Sequence, residues 1–261
     1  MIGIFDSGIG GLTVAREVMR ALPDCPVCYL GDTARTPYGN KSPETVTRYA
    51  IQDTEFLLAQ GAMVVVVACN TASAAAYHAL RQTFDIPLFE VITPVVETVL
   101  SLPKIQRIGV IGTRATVASG IYERMIRERD PQKSVFSKAC PLLVPLVEEG
   151  WMNKPETRMI VKKYLHSLKV RQVDALILGC THYPLLKDVV QQKIGKRVRV
   201  IDSSQAVANS LVRFLEDRPE LHDKLRSSDP SCLYVTDVTE QFAKIAQSIL
   251  QRNVSLTHVE L

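Results

Sequence analysis

The 261-residue sequence has no apolar run long enough to cross a bilayer; the longest, Ala62 to Cys69, is only strand-sized. No five basic residues stand together, and 31 Lys and Arg against 27 Asp and Glu leave a formal charge of only +4. Neither a membrane nor a nucleic acid is therefore expected as a partner. There is no Walker A sequence, and Gly8-Ile9-Gly10-Gly11-Leu12-Thr13 lacks the last glycine of the dinucleotide fingerprint, because position 13 is Thr. Cys25-Pro26-Val27-Cys28 has the spacing of a redox pair, but Cys28 falls inside a strand-like run and no second pair completes a zinc site. Structural thiols are the preferred reading there, and no metal is expected. No basic segment followed by an apolar one opens the chain, so a cytoplasmic protein with six reduced cysteines is expected.

What is present is a repeating alternation. With 46% hydrophobic and 22% charged residues, the composition is that of a globular protein. Strand-sized apolar runs are followed by polar or glycine-bearing turns and then by helical spacing. Ile2-Gly3-Ile4-Phe5 precedes a helix over 12–22, and Met63 to Ala68 precedes the alanine-rich 72–80. Val27 to Leu30, Leu88 to Ile92, Ile108 to Ile111, Ala175 to Leu178 and Val198 to Ile201 continue the pattern. Continuous Val, Ile and Leu in strands that alternate with helices indicate parallel sheets covered on both faces, so the fold class is α/β.

The halves also match each other. Ile2 to Ser7 can be laid over Ile108 to Thr113, and Val67-Ala68-Cys69-Asn70-Thr71 over Leu178-Gly179-Cys180-Thr181-His182. The offsets, 106 and 111 residues, are nearly equal. Two similar doubly wound units are expected, joined around 93–104, where Pro94 and Pro103 punctuate the chain. The first unit is taken as 1–93 with 208–261 and the second as 94–207. Helical patterns over 205–215 and 240–250, with a strand over 232–235, form a tail that returns to the first sheet.

In open parallel sheets ligands bind beyond the carboxyl ends of the strands. Asp6-Ser7, Cys69-Asn70-Thr71, Thr113 and Cys180-Thr181-His182 all fall there. A thiol can act as base when ionised and as acid when not, near neutral pH. A helix start directly after each cysteine would favour its thiolate. Two thiols facing one carbon from opposite sides suit stereoinversion: one removes a proton and the other delivers one to the far face. Each cysteine taken singly also reads as a small buried hydrophobe. Asp6 and Asp32 read equally as turn or helix-cap residues, and His182 as a polar residue at a sheet edge or as an imidazole that activates a thiol. Thr71, Thr113, Thr116 and Thr181 suit either caps or neutral ligands for a carboxylate.

Several segments resemble glutamate racemase motifs: Ile4-Phe5-Asp6-Ser7-Gly8-Ile9-Gly10-Gly11-Leu12, Tyr29-Leu30-Gly31-Asp32, Pro37-Tyr38-Gly39 and Ala68-Cys69-Asn70-Thr71-Ala72. Val144-Pro145-Leu146-Val147-Glu148, Leu178 to Pro184 and Ile201-Asp202-Ser203 do so as well, in family order from Ile2 to Ser203. The resemblance implies a cofactor-independent racemase of two pseudo-symmetric α/β domains with the active site between them. It implies that Cys69 acts on D-glutamate and Cys180 on L-glutamate. Asp6 matches the carboxylate beside the first thiol, and His182 with Glu148 the polar group beside the second; whether Glu148 or Glu149 faces the site stays open. Ser7, Asn70, Thr71, Thr113, Thr116 and Thr181, with the Tyr38-Gly39 backbone, match positions that hold the substrate. D-glutamate made this way supplies bacterial peptidoglycan synthesis, and family members are commonly dimers. Some carry an amino-terminal extension that binds a wall-precursor activator; none is seen here, and no such activation is expected.

Three rival readings remain. The chain could be a racemase or decarboxylase of the same superfamily acting on aspartate or a related acid, although decarboxylating relatives keep only one of the two cysteines. It could be a silent amino-acid-binding protein, or a redox protein using Cys25 and Cys28.

Overall fold

The computed structural model describes residues 1–261 as two parallel sheets flanked by helices. The first half supplies strands β1 (Ile2–Asp6), β2 (Val27–Gly31), β3 (Val64–Val67) and β4 (Leu88–Glu90). The second supplies β5 (Arg107–Gly112), β6 (Ser134–Ala139), β7 (Ala175–Gly179) and β8 (Arg199–Asp202), and the tail adds β9 (Cys232–Val235) and β10 (Thr257–His258). Strand order is β10-β9-β2-β1-β3-β4 in one sheet and β6-β5-β7-β8 in the other. Every pairing is parallel. The cores β2-β1-β3-β4 and β6-β5-β7-β8 follow the same rule, with the first strand second in line, so the internal match of the sequence is a match of topology.

Alternate residues of each strand feed opposite faces, as strand geometry requires. Ile2, Ile4, Val64 and Val66 pack beneath α1 (Leu12–Ala21). Phe5, Val65 and Val67 face α2 (Pro43–Ala59) and α3 (Asn70–Thr83) on the other side. In the second sheet Ile108, Val110 and Ile177 meet α4 (Thr93–Ser101), α5 (Arg114–Ala118) lies at the carboxyl end of β5, and α6 (Ile121–Arg129) completes that core. Ile111, Leu176 and Leu178 meet α7 (Leu143–Glu148), α8 (Pro155–Val170) and α9 (Lys187–Ile194). Of the remaining helices α10 (Ser203–Glu216), α11 (Pro219–Leu225) and α12 (Glu240–Leu250), α10 and α12 both pack on α1. No helix is long and apolar enough to cross a membrane.

Two expectations need correction, and one strand was not expected. The segment 93–104 is not simply a linker: Thr93–Ser101 is helical, with Pro94 in its first turn, where a missing N–H costs nothing. β4 stops at Glu90, because the Glu90 carboxylate turns back to accept the amide protons of Ile92 and Thr93. β6 has no counterpart in the sequence reading. It is a half-exposed edge strand whose Ser134, Ser137 and Lys138 dilute the apolar signal.

Candidate active site

The carboxyl ends of β1, β3, β5 and β7 come together, with hydrogen bonds from Thr181 to Asp6 and between Thr71 and Thr113, and their tips carry the chemistry-bearing residues. Asp6 closes β1. Its Oδ2 accepts amide protons from Gly8 and Gly11, each at 3.0 Å, so the turn reading of Asp6 holds for one oxygen. Its Oδ1 is left to face the other half, where the Thr181 hydroxyl donates to it at 3.1 Å. Cys69 follows β3 as the residue capping α3, with its thiol 3.7 Å from the Ser7 hydroxyl.

Cys180 follows β7. Its sulfur is 3.8 Å from His182 Nδ1, and His182 Nε2 is 3.1 Å from Glu148 Oε1. Glu148, not Glu149, thus stands behind the imidazole. Both cysteines are 5% exposed, and Asp6 and His182 are buried. The Gly10 backbone closes the gap between the halves: a Cβ there would lie 2.5 Å from His182 Nδ1 and 2.6 Å from Thr181 Oγ1.

A second group gathers at the ends of α3 and α5. The hydroxyls of Thr71, Thr113 and Thr116 form a triangle with sides of 3.1, 3.4 and 3.0 Å. Gly39 is pressed onto it, since a Cβ at this position would lie 2.6 Å from Thr113 Cβ. Only the backbone of the Tyr38-Gly39 turn faces this way; the Tyr38 phenol points into the first unit toward Asp32 and Asp53. Asn70 is 2% exposed and donates through Nδ2 to the Tyr122 hydroxyl at 2.9 Å. Its Oδ1 is buried without a partner. Hydrogen bonds thus join the two halves at Asp6–Thr181, at Asn70–Tyr122 and among Thr71, Thr113 and Thr116, with Gly10 close against His182; Asp32, Cys25 and Cys28 lie away from these contacts, inside the first half. No group of three or more His, Cys, Asp or Glu side chains is placed to hold a metal ion.

The sequence model of the Asp/Glu/Hydantoin racemase family matches residues 12–211. The chain belongs to this family. It is similar to a glutamate racemase of Persephonella marina, 46% identical over 260 residues that cover 100% of this chain and 97% of the relative. A glutamate racemase structure from Bacillus anthracis superposes with a TM-score of 0.92 at 37% identity, covering 100% of this chain and 97% of that one. One from Francisella tularensis, in complex with D-glutamate, gives 0.90 at 36% identity, with coverages of 99% and 97%. The protein is accordingly an isomerase of the amino-acid racemase class.

Electrostatics separates the two ends of this family member's cleft. Burial and the Asp6 carboxylate push the Cys69 thiol up to about 12, against the Ala72 amide and the Ser7 hydroxyl. The helix start after Cys69 does supply a donor, but burial outweighs it, so the expected bias toward thiolate is reversed there. The expected helix start after Cys180 is also absent: a short 3-10 turn, Tyr183–Leu186, precedes α9. At that end burial alone would favour neutral imidazole in His182, yet hydrogen bonds to Cys180 and Glu148 and their charges hold it well above its usual range. Near neutral pH the Cys69 thiol thus keeps its proton, while at the other end Cys180 and Glu148 favour the charged form of His182.

One contributor escaped the sequence reading, and one residue that it named plays a different part. Tyr122, which orients Asn70, lies 52 residues away on the opposite half, and nothing local marks it. Asp32 reads as a cap, but its side chain caps nothing and instead accepts from Arg35, Tyr38 and Thr236.

Proposed function

We propose that the chain interconverts L- and D-glutamate by a two-thiol mechanism without a cofactor. The observation that carries this reading is the pair of matched cysteines at the tips of β3 and β7, Cys69 near the Asp6 carboxylate and Cys180 beside the His182 imidazole. The α-proton of an amino acid is only weakly acidic, so the base must be close and the developing negative charge must meet preorganised donors. In this reading Cys180 takes the proton from L-glutamate with the His182–Glu148 pair beside it, and Cys69 returns one to the opposite face. The raised Cys69 thiol and the cationic His182 favour that direction before substrate arrives. For D-glutamate Cys69 is the base, which requires its proton to leave first, and Asp6 is the adjacent group.

Ser7, Asn70, Thr71, Thr113, Thr116, Thr181 and the Tyr38-Gly39 backbone hold the substrate in this scheme. The unpaired Asn70 Oδ1 suits an ammonium donor, and the three threonine hydroxyls suit a carboxylate. The working units are 1–93 with 208–261, and 94–207. The product D-glutamate would supply bacterial peptidoglycan synthesis.

The decisive experiment follows deuterium incorporation at the α-carbon in heavy water, starting separately from each enantiomer. Two opposed bases predict that first-turnover product from either enantiomer carries solvent deuterium. Product retaining the substrate hydrogen would instead indicate a single base that returns the same proton. A panel of L-amino acids in the same assay tests the substrate, since aspartate turned over faster than glutamate would favour the related reading.

A further inference from the structure

Behind the Tyr38-Gly39 turn lies a cluster of ionisable groups outside the cysteine cleft. Asp32 follows β2, Arg35 and Tyr38 sit on successive 3-10 turns, and Asp53 lies on the inner face of α2. Asp32, Tyr38 and Asp53 are 0% exposed. Arg35 donates from Nε to Asp32 Oδ2 at 2.6 Å and from Nη2 to Asp53 Oδ1 at 3.0 Å. The Tyr38 hydroxyl touches both carboxyl groups, at Asp32 Oδ2 and, at 2.9 Å, at Asp53 Oδ2. Thr236, at the end of β9, donates to Asp32 Oδ1 at 2.9 Å.

Two counts come out one proton short. A phenol owns one proton, yet its oxygen sits against two carboxyl oxygens. One guanidinium supplies one positive charge against two buried carboxyl groups, and a buried unpaired anion is costly. A single added proton satisfies both counts. Asp32 already accepts from Arg35, Thr236 and Tyr38, whereas Asp53 Oδ2 faces only the phenol oxygen.

We propose that Asp53 is a neutral carboxylic acid that donates to Tyr38 Oη, and that it is thereby a positioning residue for the Tyr38-Gly39 turn. The positioning role rests on the reading above, in which the backbone of that turn holds substrate. Tyr38 then accepts from Asp53 and donates to Asp32, and Asp32 balances Arg35, so every polar atom of the relay is satisfied. The ionisable groups that act on Asp53 are Asp32, Arg35, Tyr38 and, from β1, Asp6. Burial and the two aspartates raise it, against Arg35 and Tyr38. Ionisation would set two anions against one phenol proton and free the Tyr38 ring. Because Gly39 is wedged against Thr113, that movement would reach the threonine triangle.

Asp53→Asn is the matching isostere, with an N–H for Tyr38 and an oxygen for Arg35, and Asp53→Ala removes both. The test measures urea midpoints of wild type and Asp53→Asn between pH 4 and 8. The unfolded aspartate ionises near pH ~3.9. If the native one keeps its proton, wild type loses stability relative to the variant as pH rises, because the unfolded state releases the proton and the folded state does not. A flat difference, or one that moves toward wild type, overturns the proposal.

Independently of the variants, infrared spectra of the intact protein should retain a carboxylic-acid C=O band at pH 7; its absence counts against the proposal. In the racemisation assay, KM for glutamate should stay within about twofold in Asp53→Asn and rise at least about tenfold in Asp53→Ala, a loss on the scale of a charge-assisted hydrogen bond. Wild-type KM in Asp53→Ala overturns the positioning role. Absence of glutamate turnover in wild type would defeat the functional reading, while the urea series would still decide the state of Asp53.

Discussion

The Thr181 hydroxyl donates to Asp6 Oδ1 at 3.1 Å, across 175 residues of sequence. Asp6 belongs to the strand beside the Cys69 strand, and Thr181 follows Cys180 directly, so one hydrogen bond ties together the neighbourhoods of both sulfurs. Asp6 keeps its Gly8 and Gly11 donors when Thr181 is removed, so the turn at β1 survives. Thr181→Val should therefore cost about 1–3 kcal/mol of stability, the range for a buried acceptor that loses a donor. It should lower kcat/KM by about tenfold or more, because the carboxylate is no longer oriented across the cleft. Urea unfolding and steady-state racemisation, measured on the same preparation, separate the two effects.

Removing either sulfur should be far more damaging. Cys69→Ser and Cys180→Ser replace a group able to exchange protons near neutral pH with one that holds its proton much more firmly. Each should lose about 10²–10⁴-fold in racemisation, the range expected for a positioned acid or base. Near-wild-type turnover by either variant would defeat the two-thiol scheme.

The Gly10 prediction concerns space. An added methyl would meet His182 Nδ1 at 2.5 Å and the His182 backbone nitrogen at 2.8 Å, and backbone cannot swing aside. Gly10→Ala should leave far-UV circular dichroism unchanged but push the halves apart by up to about an ångström. A displacement on that scale can cost about 100-fold in rate. A rate within threefold of wild type would show that the close approach has no consequence.

Much of this was legible because strands and cysteines repeat. The Val64–Val67 run and the Cys69 and Cys180 positions are local signals, and the internal offset located the second from the first. The 106-residue shift also anticipated that β5 would play the part of β1. What escaped depends on contacts that no local pattern encodes. β6 mixes serine and lysine into an edge strand, and α4 arises where two prolines suggest a break. The protonation of Cys69 is set by burial that only the assembled sheets create, which is why the helix-start argument pointed the other way. Tyr122 is an ordinary core tyrosine until Asn70 is placed opposite it.

Alkaline stability follows from the shifted groups at the two ends of the cleft. His182 is held above its unfolded value, so the stability contributed by its pairing is complete below about pH 6.5 and is lost as pH rises through the raised native value. Cys69, raised from 9.0 to about 12, keeps its proton in the fold while the unfolded thiol releases it, so stability falls between those two values. Both effects act in the same direction, against the folded state in base. Urea midpoints of wild type and His182→Gln should lie furthest apart, in favour of wild type, at acid to neutral pH and converge as pH rises. Cys69→Ala should remove the loss that sets in above pH 9.0. A wild type that instead gains on His182→Gln as pH rises would mean that His182 is neutral in the folded protein, and one that gains on Cys69→Ala would mean that Cys69 is ionised there. That would reverse the assignment of acid and base before substrate binds.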